Sequence, residues 1–257
     1  MEKNFFEWVM FFFQSNWQQF LLGTATTLLV SLSGTIIGFF LGLGVSLIQY
    51  TKTDDKSSTL FKGFIKFLKI LISIYITIFR GTPMIVQAMV IFYGLPQLIG
   101  LNLDPLPAAL LIVSINTGAY MAEMIRGGVD SVDPGQLEGA QAIGMSHFQA
   151  MISIIFPQAV RNVLPSIGNE FIINIKDTSV LNVIGVTELF FTSKSIAGSY
   201  AKYYEVFIIT SVIYLFLTFT ISLILKSIEK KIDGPKNFEI LPLQDGNSVV
   251  IKKGKGV

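Results

Sequence analysis

The chain has 257 residues, 51% of them apolar and 14% charged, with a net charge of +2 and no cysteine. Soluble domains carry about a quarter charged residues, so this composition is that of a membrane protein, and the lack of cysteine excludes disulfide and thiolate chemistry. A single histidine, His147, excludes a multi-histidine metal site.

In chain order, the opening stretch "MEKNFFEWVMFFFQSNWQQF" carries acids within its apolar run and no small-residue cleavage site, which argues against a signal peptide. It reads as an extracellular or interfacial helix over residues 1–19, with Trp8 and Trp17 as belt residues. A bilayer crossing needs about 20 apolar residues. Candidates run from Phe20 to Gln49, from Ile70 to Pro96 (long and interrupted), from Pro105 to Arg126, from Ala159 to Val186 (unusually polar) and from Val206 to Leu225. The prediction is an all-α integral membrane protein with five transmembrane helices within residues 20–232. In the first span Gly34, Gly38 and Gly42 recur every fourth residue and give one helix face a smooth ridge for close packing. The tail, 233–257, lacks helical periodicity and is expected to be disordered.

Positive charge assigns the sides. Lys52, Lys56, Lys62, Lys66 and Lys69 follow the first span, Lys226, Lys230, Lys231 and Lys236 follow the last, and Arg126 and Arg161 flank the central insert. The connection "QLIGLNLD" carries no base, and the connection before the last span only Lys194 and Lys202. The N-terminus is therefore expected outside, with the central insert and C-terminus in the cytoplasm.

That insert, about residues 131–157, interrupts the apolar runs with "DPGQLEGAQAIGMS". Asp133, Pro134 and Gln136 spell an N-cap, a first-turn proline and a capping-box partner. Gly144 suits a left-handed helix end, Ser146 and Gln149 form a second capping box, and Pro157 is expected to limit the second helix. Small residues, Gly139, Ala140 and Ala142, dominate the first helix and allow close approach to a partner groove. A plain linker between spans would usually take 2 to 8 residues, so docking is favoured over linking.

"EGAQAIGMSHFQAMISIIFPQAVRNVLPSIGNEFIINIKDTSVL" resembles the cytoplasmic loop and following span of permease subunits of ATP-binding-cassette importers, nearest to the polar amino acid uptake branch. Glu138, Ala140, Gly144 and Pro157 match the family pattern; Gly139 stands where alanine is usual and Phe156 where leucine is usual. Gly139 loosens the helix by up to ~1 kcal/mol. "FRGTPMIVQAMVIFYGLP" and "AYMAEMIRGGVDSVDPGQLEGA" extend the resemblance over about residues 20 to 230. It implies a type I importer permease of a bacterial inner membrane, with a cytoplasmic coupling helix that includes Glu138, Gly139, Ala140, Ala142 and Gly144. The implied partners are ATPase subunits, a second identical or similar permease, an extracellular substrate-binding protein and an amino acid; no nucleic acid is implied. The chain has no Gly-x-x-x-x-Gly-Lys-Ser/Thr stretch, so ATP and Mg belong to the partner ATPase, and no cofactor or metal is expected here.

Arg80 lies eleven residues beyond Lys69, about 16 Å along a helix from the inner interface. A cation at that depth needs a partner or a polar cavity. Gly81 permits a break, Thr82 can cap a new helix and Pro83 suits its first turn, so a helix N-terminus would face the same place and favour an anion such as a carboxylate. Arg80 has two open roles: solute binding, or a structural ion pair with Glu170 or Asp177. Asn169, Glu170, Lys176 and Asp177 resemble the family's "NEF…KDTS" pattern, while Gln87, Asn116, Thr117 and Tyr120 are mid-depth polar groups suited to reading a solute side chain. Glu123 and Arg126 are three apart and are expected to pair with each other. An ATP-independent transporter or channel is the alternative, and it leaves the capped insert unexplained. A membrane enzyme finds no nucleophile–base pair, so no catalytic residue is assigned.

Overall fold

A computed structural model describes residues 4–51, 58–232, 238–240 and 251–253. Helix α1 runs unbroken from Phe5 to Tyr50. The expected boundary near residue 19 does not interrupt it, because "NWQQFLL" holds neither proline nor glycine. Its first turn is closed by a capping box of Asn4 and Glu7. Near that end, Phe12 and Phe20 are buried among Leu189, Ile196, Ala197, Val206 and Ile209, so one face of residues 5–19 packs on the body while Phe6, Met10, Phe13 and Trp17 on the other are exposed.

The expected second span divides into α2 (Thr59–Gly81) and α3 (Met84–Ile99). Thr82 and Pro83 between them are extended, since proline disfavours a helical residue before it. Thr82 does not cap α3: its Oγ1 donates back to Ile78 O at 2.8 Å, and α3 starts with no side-chain cap. Among the described residues, four helical stretches are long and apolar enough to cross a membrane: Phe5–Tyr50, Pro105–Asp130, His147–Ile184 and Tyr203–Lys231. The remaining expected crossing is the elbowed pair α2–α3.

Helix α4 (Pro105–Asp130) is the central post, packed by α1, α2, α3 and α7 (Phe156–Asp177). The glycine ridge of α1 lies on it. A Cβ at Gly38 would sit 2.7 Å from Thr117 Cβ, and one at Gly42 2.7 Å from the Ala122 amide, so only hydrogen fits there. Successive ridge glycines meet successive turns of α4, which makes the two helices parallel.

The insert folds as α5 (Pro134–Ala142) and α6 (His147–Ala150). Pro157 does not end the second helix as expected. A π-helical turn, Met151–Ile155, carries the chain into α7, with the Phe156 amide bonded to Met151 O, and Pro157 lies in the first turn of α7. The wider turn absorbs the missing proline N–H. After α7 the chain tightens into a 3-10 stretch, Thr178–Ile184, ended by Gly185 at φ 83°. Helices α8 (Leu189–Tyr200) and α9 (Tyr203–Ile232) complete the bundle. In the tail, β1 (Phe238–Ile240) and β2 (Ile251–Lys253) pair antiparallel; the disorder expected of 233–257 otherwise falls outside the described residues.

Candidate functional site

The elbow between α2 and α3 is strapped by one amide. Gln87 Nε2 donates to Phe79 O (2.9 Å), Thr82 O (2.9 Å) and Thr82 Oγ1 (3.0 Å), satisfying carbonyls that the broken helix leaves open. Asn116 Nδ2 on α4 donates to Gln87 Oε1 at 2.9 Å, so the elbow is fixed to the central post. Gln87 and Asn116 are buried and mutually bonded, which makes them supports of the site.

Beside this strap, Arg80 Nη1 lies 3.4 Å from Glu123 Oε2, and its guanidinium carbon stands 5.7 Å from the centre of the Tyr120 ring. The structural pair anticipated with Glu170 or Asp177 is not formed; α4 supplies the counter-ion instead. Glu123 also pairs with Arg126, as expected from their spacing, and Arg126 Nη1 reaches Asp130 Oδ2 at 2.8 Å. The Arg80 side chain keeps 42% of its surface exposed, so its donors are only partly used by Glu123.

The other expected residues divide. Thr117 faces away from Arg80, fully buried, and accepts from Asn174 Nδ2 at 3.0 Å. The same amide donates to Thr35 Oγ1 at 2.8 Å, tying α1, α4 and α7 together. Glu170 is buried on α7, whereas Asn169, Lys176 and Asp177 are exposed, and among the described residues Arg80 pairs with Glu123 and with none of these four. Asn174 was missed, though its place four residues after Glu170 on the same helix face was a readable signal. Glu188 was missed as well. Fully buried, it accepts from the Phe190 and Phe191 amides at 2.8 and 2.6 Å and from Tyr214 Oη at 3.1 Å, capping α8.

At the other end, Asp133 caps α5, but through the Gly135 amide at 2.7 Å; the capping box with Gln136 does not form. Gly144 turns the chain at φ 88°, and Ser146 and Gln149 close a capping box around α6. Glu138, Gly139, Ala142 and Gly144 are exposed, while Ala140 is buried and faces its own body. Two apolar side chains that the sequence pattern did not single out project from this segment: Ile143, 79% exposed, and Phe148, 62% exposed. The segment is moored to α1 through His147 Nε2 and Tyr50 O at 3.1 Å.

Long apolar helices, a polar elbow between two of them and a capped helical knob seated on the bundle with its outer face exposed define a polytopic transport subunit. The chain belongs to the binding-protein-dependent transport system inner membrane components, whose family model matches residues 60–234. It is 35% identical over 210 residues to the arginine transport system permease protein ArtQ of Bacillus subtilis, covering 82% of this chain and 90% of that one. The glutamine transport system permease protein GlnP of Escherichia coli is 37% identical over 210 residues, with 81% and 90% covered. A crystal structure of an amino acid ABC transporter with histidines superposes with a TM-score of 0.76 at 35% identity, over 90% of this chain and 100% of that one. An inward-facing MetNI methionine transporter, at 17% identity and a TM-score of 0.66 over 84% of this chain and 96% of that one, shares the fold. The chain is a permease subunit of an ABC importer, with the type I fold.

Proposed function

We propose that this permease carries an amino acid into a bacterial cytoplasm as half of a permease dimer, with an extracellular binding protein delivering the solute. ATP and Mg act on separate ATPase subunits. The N-terminus lies outside and the C-terminus inside, and α2 with α3 makes the fifth crossing. The observation that carries the reading is the α5–α6 knob, which is capped, exposed and inserted between two membrane helices. Its outer face, with Glu138, Gly139, Ala142, Ile143, Gly144 and Phe148, docks on the ATPase; Ala140 seats the helix from within.

The solute site is built on Arg80 and Glu123. An amino acid is a zwitterion, and the pair offers it both complements: guanidinium for carboxylate, carboxylate for ammonium. The uncapped N-terminus of α3 adds partial positive charge beside Arg80. Tyr120 supplies an aromatic wall. Gln87, Asn116 and Thr82 hold the elbow that aims Arg80, and Asn169, Lys176 and Asp177 offer further polar contacts from α7. The test is uptake of a labelled amino acid panel by proteoliposomes holding the permease, its ATPase and its binding protein. ATP-dependent uptake of at least one amino acid is expected; equal uptake without ATP favours the channel or secondary transporter.

A further inference from the structure

Helix α2 carries three kinds of face. Ile65, Ile72 and Ile76 are buried, the last two with Ala122 of α4. Phe64, Phe67, Leu71, Ile74 and Ile78 are exposed apolar residues and suit lipid. A third face is polar along its length: Lys62, Lys66, Lys69, Ser73, Thr77 and Arg80 follow one another at intervals of three or four residues. That spacing puts them on a single stripe, about 27 Å from end to end.

Three observations say what this stripe meets. Ser73, Thr77 and Arg80 are exposed, and at 1.5 Å per residue they stand about 6 to 16 Å beyond Lys69, a depth at which a polar side chain turned to lipid is costly. On the other membrane helices the hydroxyls of Thr26, Ser211 and Thr218 return to a carbonyl of the previous turn, while those of Thr24, Ser33, Thr220 and Ser222 make no hydrogen bond among the described residues. Ser73 and Thr77 make no hydrogen bond among the described residues, so their donors are open to water or solute. Lower down, Lys62, Lys66, Lys69 and Ser73 line one groove of about 360 Å³ with Ile65 and Ile70, and Lys69 Nζ bends to donate to Thr51 O at 2.8 Å.

Resting on the amino acid import proposed above, we infer that this stripe is an electropositive exit track. It passes the carboxylate of the solute from Arg80 down a water-filled inner passage to the cytoplasm. The stripe is a ladder of weak donors below one strong one. A carboxylate released from Arg80 meets hydroxyls first and ammonium groups next, so it leaves without crossing an apolar barrier. Acidic α4 residues face only its upper end, where Glu123 meets Arg80.

The absence of native cysteine makes the test direct. Ser73→Cys, Thr77→Cys, Ile74→Cys and Ile78→Cys are made singly, in complexes whose partner subunits are also cysteine-free. Each is reconstituted and treated from the cytoplasmic side with a sulfonate and an ammonium methanethiosulfonate of similar size. Modification is expected at positions 73 and 77 and not at 74 and 78, with the sulfonate about tenfold faster, the low end of electrostatic focusing. Adding Lys66→Glu and Lys69→Glu should reverse that preference at Ser73→Cys. Positions 73 and 77 as inert as 74 and 78, or cross-linking there between two permeases under oxidation, would overturn the track. So would equal rates for the two reagents. ATP-driven uptake by the unsubstituted complex judges the import reading separately, because labelling of the passage does not require turnover.

Discussion

Arg80 of α2 and Glu123 of α4 face each other at 3.4 Å across two helices that also meet through Ile72, Ile76 and Ala122 and through a bond from Tyr75 Oη to Ile115 O at 2.6 Å. Both side chains are part-exposed, so solvent screens the pair and it adds no more than about 1 kcal/mol to stability. Arg80→Lys keeps the charge and loses the forked geometry. Assembly should survive while uptake falls about tenfold or more, the scale of one lost charge-assisted hydrogen bond. Size exclusion of the complex alongside labelled uptake measures both. Failed assembly with either Arg80→Lys or Glu123→Gln would make the pair structural.

The knob yields a second test. Gly144 sits at φ 88°, where any other residue is strained by roughly 1–2 kcal/mol. Gly144→Ala and Glu138→Lys should each weaken copurification of the ATPase and solute-stimulated hydrolysis while the membrane helices stay folded. Phe148→Asp should do the same through loss of an apolar anchor. Normal coupling in all three would remove α5–α6 from the docking surface.

Gly38 and Gly44 lie on the same helix with opposite surroundings. A Cβ at Gly38 collides with Thr117, whereas nothing lies within 4 Å of one at Gly44. Gly38→Val should destabilise by roughly 1–3 kcal/mol or more through overpacking. Gly44→Ala should stabilise by up to about 1 kcal/mol through helix propensity. Thermal unfolding of the purified permease in detergent should shift in opposite directions.

Glu188→Leu strands the Phe190 and Phe191 amides and the Tyr214 hydroxyl. The loss expected is about 2–4 kcal/mol, combining a cap with unmet buried donors. Hydrogen exchange should rise first in α8; exchange unchanged there would show that the cap does not hold the helix.

Orientation can be read with the same cysteine-free background. Asn102→Cys and Ser199→Cys should react with an impermeant thiol reagent added outside sealed cells, and Ser58→Cys and Gln136→Cys should be protected. The reverse pattern would invert the topology.

The helices were legible wherever long-range packing did not intervene. Residues 133–149 show this best: the Asp133 N-cap, the Gly144 turn and the Ser146–Gln149 box depend on neighbours two to four residues away and stand as read, although Asp133 caps through Gly135 without the expected box with Gln136. Pro157 was misjudged because a proline tolerated after a π-helical turn has the same sequence as one that ends a helix. Depth counting placed Arg80, Gln87, Asn116 and Tyr120 at one level, and the structure gathers them there. Depth says nothing of azimuth, so Thr117 and Asn116, adjacent in sequence, were given one role although α4 turns them to different neighbours. The partner of Arg80 was likewise a matter of which helix α2 lies against, and that is set by Ile72, Ile76 and Ala122 rather than by charge.

The seam between α1 and α4 has a mechanical consequence. Backbones in contact at Gly34, Gly38 and Gly42 cannot roll past one another, since turning α1 by a single residue would drive a larger side chain into α4. The two helices therefore form one rigid beam, pinned at the C-terminal ends of both by Tyr50 Oη to Asp130 Oδ1 at 2.8 Å. The knob hangs from that end, continuing from α4 and moored to α1 by His147. A load on the knob tilts the beam as a lever instead of bending it. Compliance is left to places where regular helix geometry is already interrupted: the elbow at Thr82–Pro83, the wide turn at Met151–Ile155 and the 3-10 stretch at Thr178–Ile184.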